Sequence, residues 1–186
     1  MSEKRTHFGM AGHYVAMSEF LRRGWNVATS AVDVGDDIYV VNDGIGTLRR
    51  VQVKARRALR DDRTRQWPAV HFNVSRKQLR GLKETPLYYM FMLLQDDRWR
   101  YLLIAQTVLQ DQRKAFESRT GGRPGPSPRT DDTAQGDDLG PSILFGGDTA
   151  TFWGVVLPLD TWHPDFPELS DGPGARSQSL LRTPGP

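Results

Sequence analysis

An aspartate is followed, fifteen positions on, by an amide and a lysine two residues apart: Asp37, Gln52 and Lys54. One carboxylate, one amide oxygen and one ammonium make a set that can hold a divalent cation and handle a phosphate. Oxygen donors suit a hard cation, which polarises the phosphate and activates water, while the lysine stabilises charge or orients the nucleophile. The backbone carbonyl of Val53 offers one more oxygen. On a sheet, the same three residues could equally be the solvated face of an ordinary hairpin.

The elements around them must bring the three together. The stretch from Asp33 to Lys54, DVGDDIYVVNDGIGTLRRVQVK, reads as an acidic loop, a strand over Asp37–Val41, a polar turn and a strand over Arg49–Ala55. Side chains alternate faces along a strand, so Gln52 and Lys54 share one face and Val51 and Val53 take the other. Asn42 to Thr47 is rich in residues that tolerate positive φ. Positions 37 and 52 are equidistant from the centre of an Asp43–Gly46 turn, which sets Asp37 opposite Gln52.

Ahead of the hairpin, Met10, Tyr14, Met17 and Leu21 recur at helical spacing and predict a helix over residues 10–23, with Gly24 as its stop. On this wheel Glu19 points away from the apolar stripe into solvent, and His13 lies on the stripe's flank. WNVAT (25–29) follows as a strand. Beyond the hairpin the pattern predicts a strand over Ala69–Val74, a short basic helix from Ser75 to about Leu82, buried strands over Leu87–Leu94 and Trp99–Ile104, and a helix over Thr107–Phe116. Residues 117–141, rich in Gly, Pro and Asp, predict a flexible insertion. Ser142–Phe145 and Thr151–Leu157 read as late strands, Leu159–Trp162 as a turn of helix, and the chain from Pro164 on as loose. The whole is an α/β domain over residues 1–165, a mixed central sheet flanked by helices, with a disordered tail at 166–186.

Composition narrows the chemistry. The 186 residues include no cysteine, so disulfides and thiolate metal sites are excluded. The polar start MSEKRTHFGM lacks the apolar core of a signal peptide, and the longest apolar run, Leu87 to Leu94, is too short to span a bilayer. No membrane and a cytoplasmic setting are the expectation. Phosphate-loop, dinucleotide and serine-hydrolase motifs do not occur. His7, His71 and His163 have no metal-ligand spacing. Net charge is +3, yet between Arg49 and Lys83 twelve basic residues meet only Asp61 and Asp62. Such a block beside Lys54 points to a nucleic-acid backbone, with Arg56, Arg57, Arg60, Arg63 and Arg65 as the contacts.

GMAGHYVAMSEFLRRGWNVA (9–28), DVGDDIYVV (33–41) and RVQVKA (50–55), in this order, resemble the PD-(D/E)XK nuclease superfamily. The closest likeness is to small bacterial nuclease-like proteins and Holliday-junction resolvases, over roughly residues 9–110. The resemblance implies a restriction-endonuclease-like fold and Mg²⁺- or Mn²⁺-dependent endonuclease activity on DNA. Nucleases of this fold often act as dimers, which makes a homodimer one arrangement to expect. By the same likeness Asp37 binds metal, Lys54 is the catalytic lysine and Asp33 and Asp36 give support. Gln52 stands at the usual glutamate position, and His13 where related nucleases often carry Glu in the first helix. These two departures leave one certain carboxylate, so a DNA-binding module with a weakened or lost activity stands as the alternative.

Overall fold

The computed structural model describes residues 3–29, 37–58, 70–74, 78–79, 84–120, 142–146, 149–152, 155–160, 162–163 and 165–166. Helix α1 (Glu3–Arg22) leads into β1 (Asn26–Thr29), β2 (Ile38–Asn42), β3 (Thr47–Arg57), β4 (Val70–Asn73), β5 (Leu87–Gln95) and β6 (Arg98–Ala105). Then come α2 (Gln106–Thr120), β7 (Ser142–Gly146), β8 (Thr149–Phe152) and β9 (Val155–Pro158).

A mixed five-stranded sheet in the order β1-β2-β3-β5-β6 is the centre of this α/β fold. Only the β3/β5 pair is parallel. Its two faces bury separate apolar clusters. On one, α1 supplies Ala16 and Phe20 against Ile38, Val51, Val53, Met90 and Met92. On the other, Tyr89, Phe91, Leu102 and Ile104 pack with Phe72, Leu79 and Leu109. A second, antiparallel sheet, β4-β7-β8-β9, was not anticipated from the sequence. Among the described residues no helix is long and apolar enough to cross a membrane.

Local chemistry explains the strand ends. Gly24, at φ 83°, closes α1 in a Schellman arrangement: Trp25 N–H donates to the Phe20 carbonyl at 3.1 Å and Gly24 N–H to that of Leu21 at 2.9 Å. Between β2 and β3, Gly44 N–H donates to Asn42 Oδ1 and Gly46 takes φ 65°. Asp96 and Asp97, both at positive φ, make the two-residue turn from β5 to β6.

Several expectations are corrected. Most of the apolar stripe predicted for α1 faces solvent: Met10, Tyr14 and Leu21 are 43%, 63% and 53% exposed, while Met17 packs against the core. The buried side is Gly12, Ala16 and Phe20. The helix presses so close to β3 that a Cβ on Gly12 would lie 2.4 Å from Ala55 Cβ, so small residues decide the contact. Glu19, read as solvent-facing, is only partly exposed and pairs with Arg22 and Arg23. Arg23 also donates to the Tyr101 hydroxyl at 2.9 Å and lies over the Trp162 ring.

Thr151–Leu157 is two strands rather than one, β8 turning back on β9. Helix α2 runs on through Thr120, four residues into the predicted insertion. The rest of that insertion, 121–141, lies outside the described residues, as does the predicted basic helix except for 78–79. Leu159–Asp160 is a turn with Asp160 at φ 62°, not a helix. Phe166, the first residue of the predicted tail, is fully buried against Phe20, Trp25 and Tyr88.

Candidate functional site

β2 stops short of β3, and the candidate residues gather at that step. The ladder runs from Asn42↔Thr47 to Ile38↔Val51, so Asp37 follows at the level of Gln52. Its N–H donates to the Val51 carbonyl at 3.2 Å. Beyond this point β3 has no neighbour from β2. The Asp37 carboxylate takes the neighbour's place: Val53 N–H donates to Oδ2 at 2.6 Å. A strand residue's N–H and C=O point to the same side, so the Val53 carbonyl points past the start of β2 as well.

Gln52 and Lys54 lie beside Tyr89 and Phe91 of β5, on the face away from α1. Gln52 is 9% exposed, and among the described residues its carboxamide makes no hydrogen bond. Its nitrogen and oxygen are not sealed from solvent, so water or an incoming ligand can satisfy them. Lys54 is partly buried. Burial pushes its ammonium below the ordinary lysine value, the nearby Asp37 carboxylate opposes that fall, and Arg56 adds to it.

His13 reaches the same carboxylate from the other side. Its Nε2 stands 3.6 Å from Asp37 Oδ2, from a helix packed on the opposite sheet face. Asp37 is therefore the hinge of the site, with Gln52 and Lys54 to one side and His13 to the other. Asp33, Asp36, Arg60, Arg63 and Arg65 lie outside the described residues. Arg56 and Arg57 end β3 and are exposed.

The donors that can hold a cation are oxygens: the Asp37 carboxylate, the Gln52 amide and the Val53 carbonyl. That chemistry fits Mg²⁺ or Mn²⁺, which retain water where protein ligands are few. Among the described residues no cluster of three or more His, Cys, Asp or Glu could hold a metal, so the fit is to a weakly held ion.

A second polar cluster, unforeseen from the sequence, sits where β5 begins. Tyr88 donates to Asp165, with Arg49 3.4 Å from the hydroxyl and His163 against the ring. Burial, and next the Asp165 bond, push the Tyr88 hydroxyl up to about 12. Tyr88, His163 and Asp165 line a cavity of about 480 Å³ with the first turn of α2. The cluster was invisible because His163 and Asp165 are about 75 positions from Tyr88 and lie near the predicted tail.

No family model matches the chain, and no curated protein matches it. Solved structures similar over part of it include two. One is a bacterial homing endonuclease, I-Ssp6803I, at 20% identity and TM-score 0.38, over 58% of this chain and 72% of that one. The other is Hjc, a Holliday junction resolvase of Archaeoglobus fulgidus, at 17% identity and TM-score 0.37, over 53% of this chain and 73% of that one.

Proposed function

We propose that the chain is a metal-dependent DNA endonuclease of the PD-(D/E)XK type, with a restriction-endonuclease-like fold and Gln52 in the usual glutamate position. The observation that carries this reading is the step between β2 and β3. There a carboxylate fixed by the Val53 N–H, an amide open to solvent or a ligand and a lysine with a depressed pKa adjoin one another.

Asp37, Gln52 and the Val53 carbonyl would hold the ion. Bound Mg²⁺ or Mn²⁺ would supply charge to polarise the scissile phosphate and acidify water. Lys54 brings a mobile ammonium to the phosphate, where it stabilises the charge that develops on the oxygens. Its depressed pKa also lets it give up a proton more readily than a surface lysine. His13, against Asp37 Oδ2, positions the carboxylate, and Asp33 and Asp36 support the site. Arg56 and Arg57 hold the DNA backbone, joined by Arg60, Arg63 and Arg65 from the basic stretch.

The single carboxylate favours one second reading, a DNA-binding module on the same fold that no longer cuts. Nicking of supercoiled plasmid with and without Mg²⁺ or Mn²⁺, beside salt-dependent binding to the same DNA, separates the two. Binding without nicking in either metal removes the endonuclease and leaves the module.

A further inference from the structure

Arg57, the last residue of β3, carries an exposed guanidinium that makes no hydrogen bond or ion pair among the described residues. It is nonetheless seated. Its Cζ lies 5.2 Å from the centre of the Phe8 ring, and Phe8 in turn stacks on Trp99, centroids 5.4 Å apart and planes 27° from parallel.

The sheet register builds this stack. Arg57 pairs with Leu94, and Leu94 with Trp99, so the three form one row across β3, β5 and β6 on the α1 side. One row earlier, Gly12 clamps α1 onto Ala55 and comes within reach of Trp99. Phe8, one helical turn before Gly12, is thereby laid over the row. It sits on the same helix as His13, about 7.5 Å along the axis. In sequence, the stretch carrying Arg60, Arg63, Arg65 and Trp67 follows Ala58.

A guanidinium plane backed by two aromatic rings is a stacking surface for a nucleobase, and its charge suits the adjoining phosphate. In intact duplex the faces of the bases are taken by their neighbours; in a single strand they are open. We infer that Trp99, Phe8 and Arg57 form a platform on which an unpaired base of a single-stranded DNA segment stacks, on the α1 face of the sheet and three residues along β3 from Lys54. The inference rests on the nucleic-acid reading above and narrows it to substrates with an unpaired stretch.

The test is binding without metal of a labelled single-stranded oligothymidylate and of a hairpin duplex with the same number of phosphates. Wild type, Arg57→Lys and Phe8→Leu are compared across salt concentrations. Lysine keeps the charge and removes the plane. Leucine keeps α1's apolar cover, and a thermal melt checks that it folds. The expected result is about tenfold weaker binding of the single strand by each variant, the scale of losing one base stack. Phe8→Leu leaves duplex affinity little changed, Arg57→Lys lowers it less than it lowers single-strand affinity, and the salt slope of Arg57→Lys stays that of wild type because the charge is kept. Unchanged single-strand affinity, or equal losses on both DNAs, overturns the platform. Plasmid nicking tests the reaction separately, so either reading can fail while the other stands.

Discussion

Asp37 Oδ2 accepts the Val53 N–H at 2.6 Å and at the same time faces His13 Nε2 at 3.6 Å. One oxygen thus closes the open edge of β3 and ties it to α1. The carboxylate has a structural duty besides any chemistry it performs, and substitutions there can separate the two. Asp37→Ala strips a buried N–H of its acceptor, at a cost of about 1–3 kcal/mol. Asp37→Asn retains an oxygen to accept that bond but loses the charge. Urea denaturation should rank wild type above Asn and Asn above Ala, while neither variant binds metal. An Ala variant as stable as wild type would show that water serves Val53 equally well.

Gly12 and Gly9 lie in the same helix but in different surroundings. A Cβ at position 12 meets Ala55 Cβ at 2.4 Å, whereas at position 9 it meets nothing within 4 Å. Gly12→Ala should therefore destabilise by about 1–3 kcal/mol through overpacking. Gly9→Ala should stabilise by about 0.5–1 kcal/mol through helix propensity. Thermal melts of the two variants check the pair, and equal shifts would contradict the close approach of α1 to β3.

Lys54 gives a pH signature. Its folded pKa lies below the ordinary 10.5, chiefly through burial. Between that depressed value and 10.5 the unfolded chain binds more protons than the folded one, so stability rises with pH through this window. Below it the folded protein carries a partly buried charge, and above it the amine is neutral in both states. Lys54→Met should thus raise the melting temperature at pH 7, and its advantage should shrink as pH climbs toward 10.5. An advantage independent of pH would mean that the ammonium is fully solvated.

Gln52→Glu places a second carboxylate beside Asp37, on a side chain that is 9% exposed. Without metal the two like charges repel, and the variant should melt below wild type. Mg²⁺ or Mn²⁺ should then raise its melting temperature more than that of wild type, because binding to the folded state stabilises it. The nicking rate should rise as well. If the metal-induced shift matches wild type, Gln52 does not face the ion.

How far the sequence reaches follows from what sets each feature. That Asp37 falls level with Gln52 was legible because the turn residues fix the register of β2 on β3. The buried side of α1 was not. Apolar periodicity weighs Met10, Tyr14 and Leu21, while the real contact is set by how closely Gly12 lets the backbone approach Ala55. β8 and β9 were merged because TFWGVVL is apolar throughout, and Gly154 was the only sign of a break. Phe166 sits among Pro, Asp and Gly, so composition assigned it to a tail, although its ring fills the space between Phe20, Trp25 and Tyr88. The site's unequal sides were beyond the sequence too, since alternation places Gln52 and Lys54 but not the helix that brings His13 to Asp37.

Cleavage of DNA at the step between β2 and β3 would need both a cation and Lys54. Nicking of supercoiled plasmid by wild type and Lys54→Ala, each with Mg²⁺, with Mn²⁺ and with chelator, tests it most directly. Wild type should nick in at least one metal and not in chelator, and the variant should lose about 100-fold or more, the scale of removing one charge-stabilising donor. A wild type that cuts in neither metal, or a Lys54→Ala variant that cuts as fast as wild type, would contradict it.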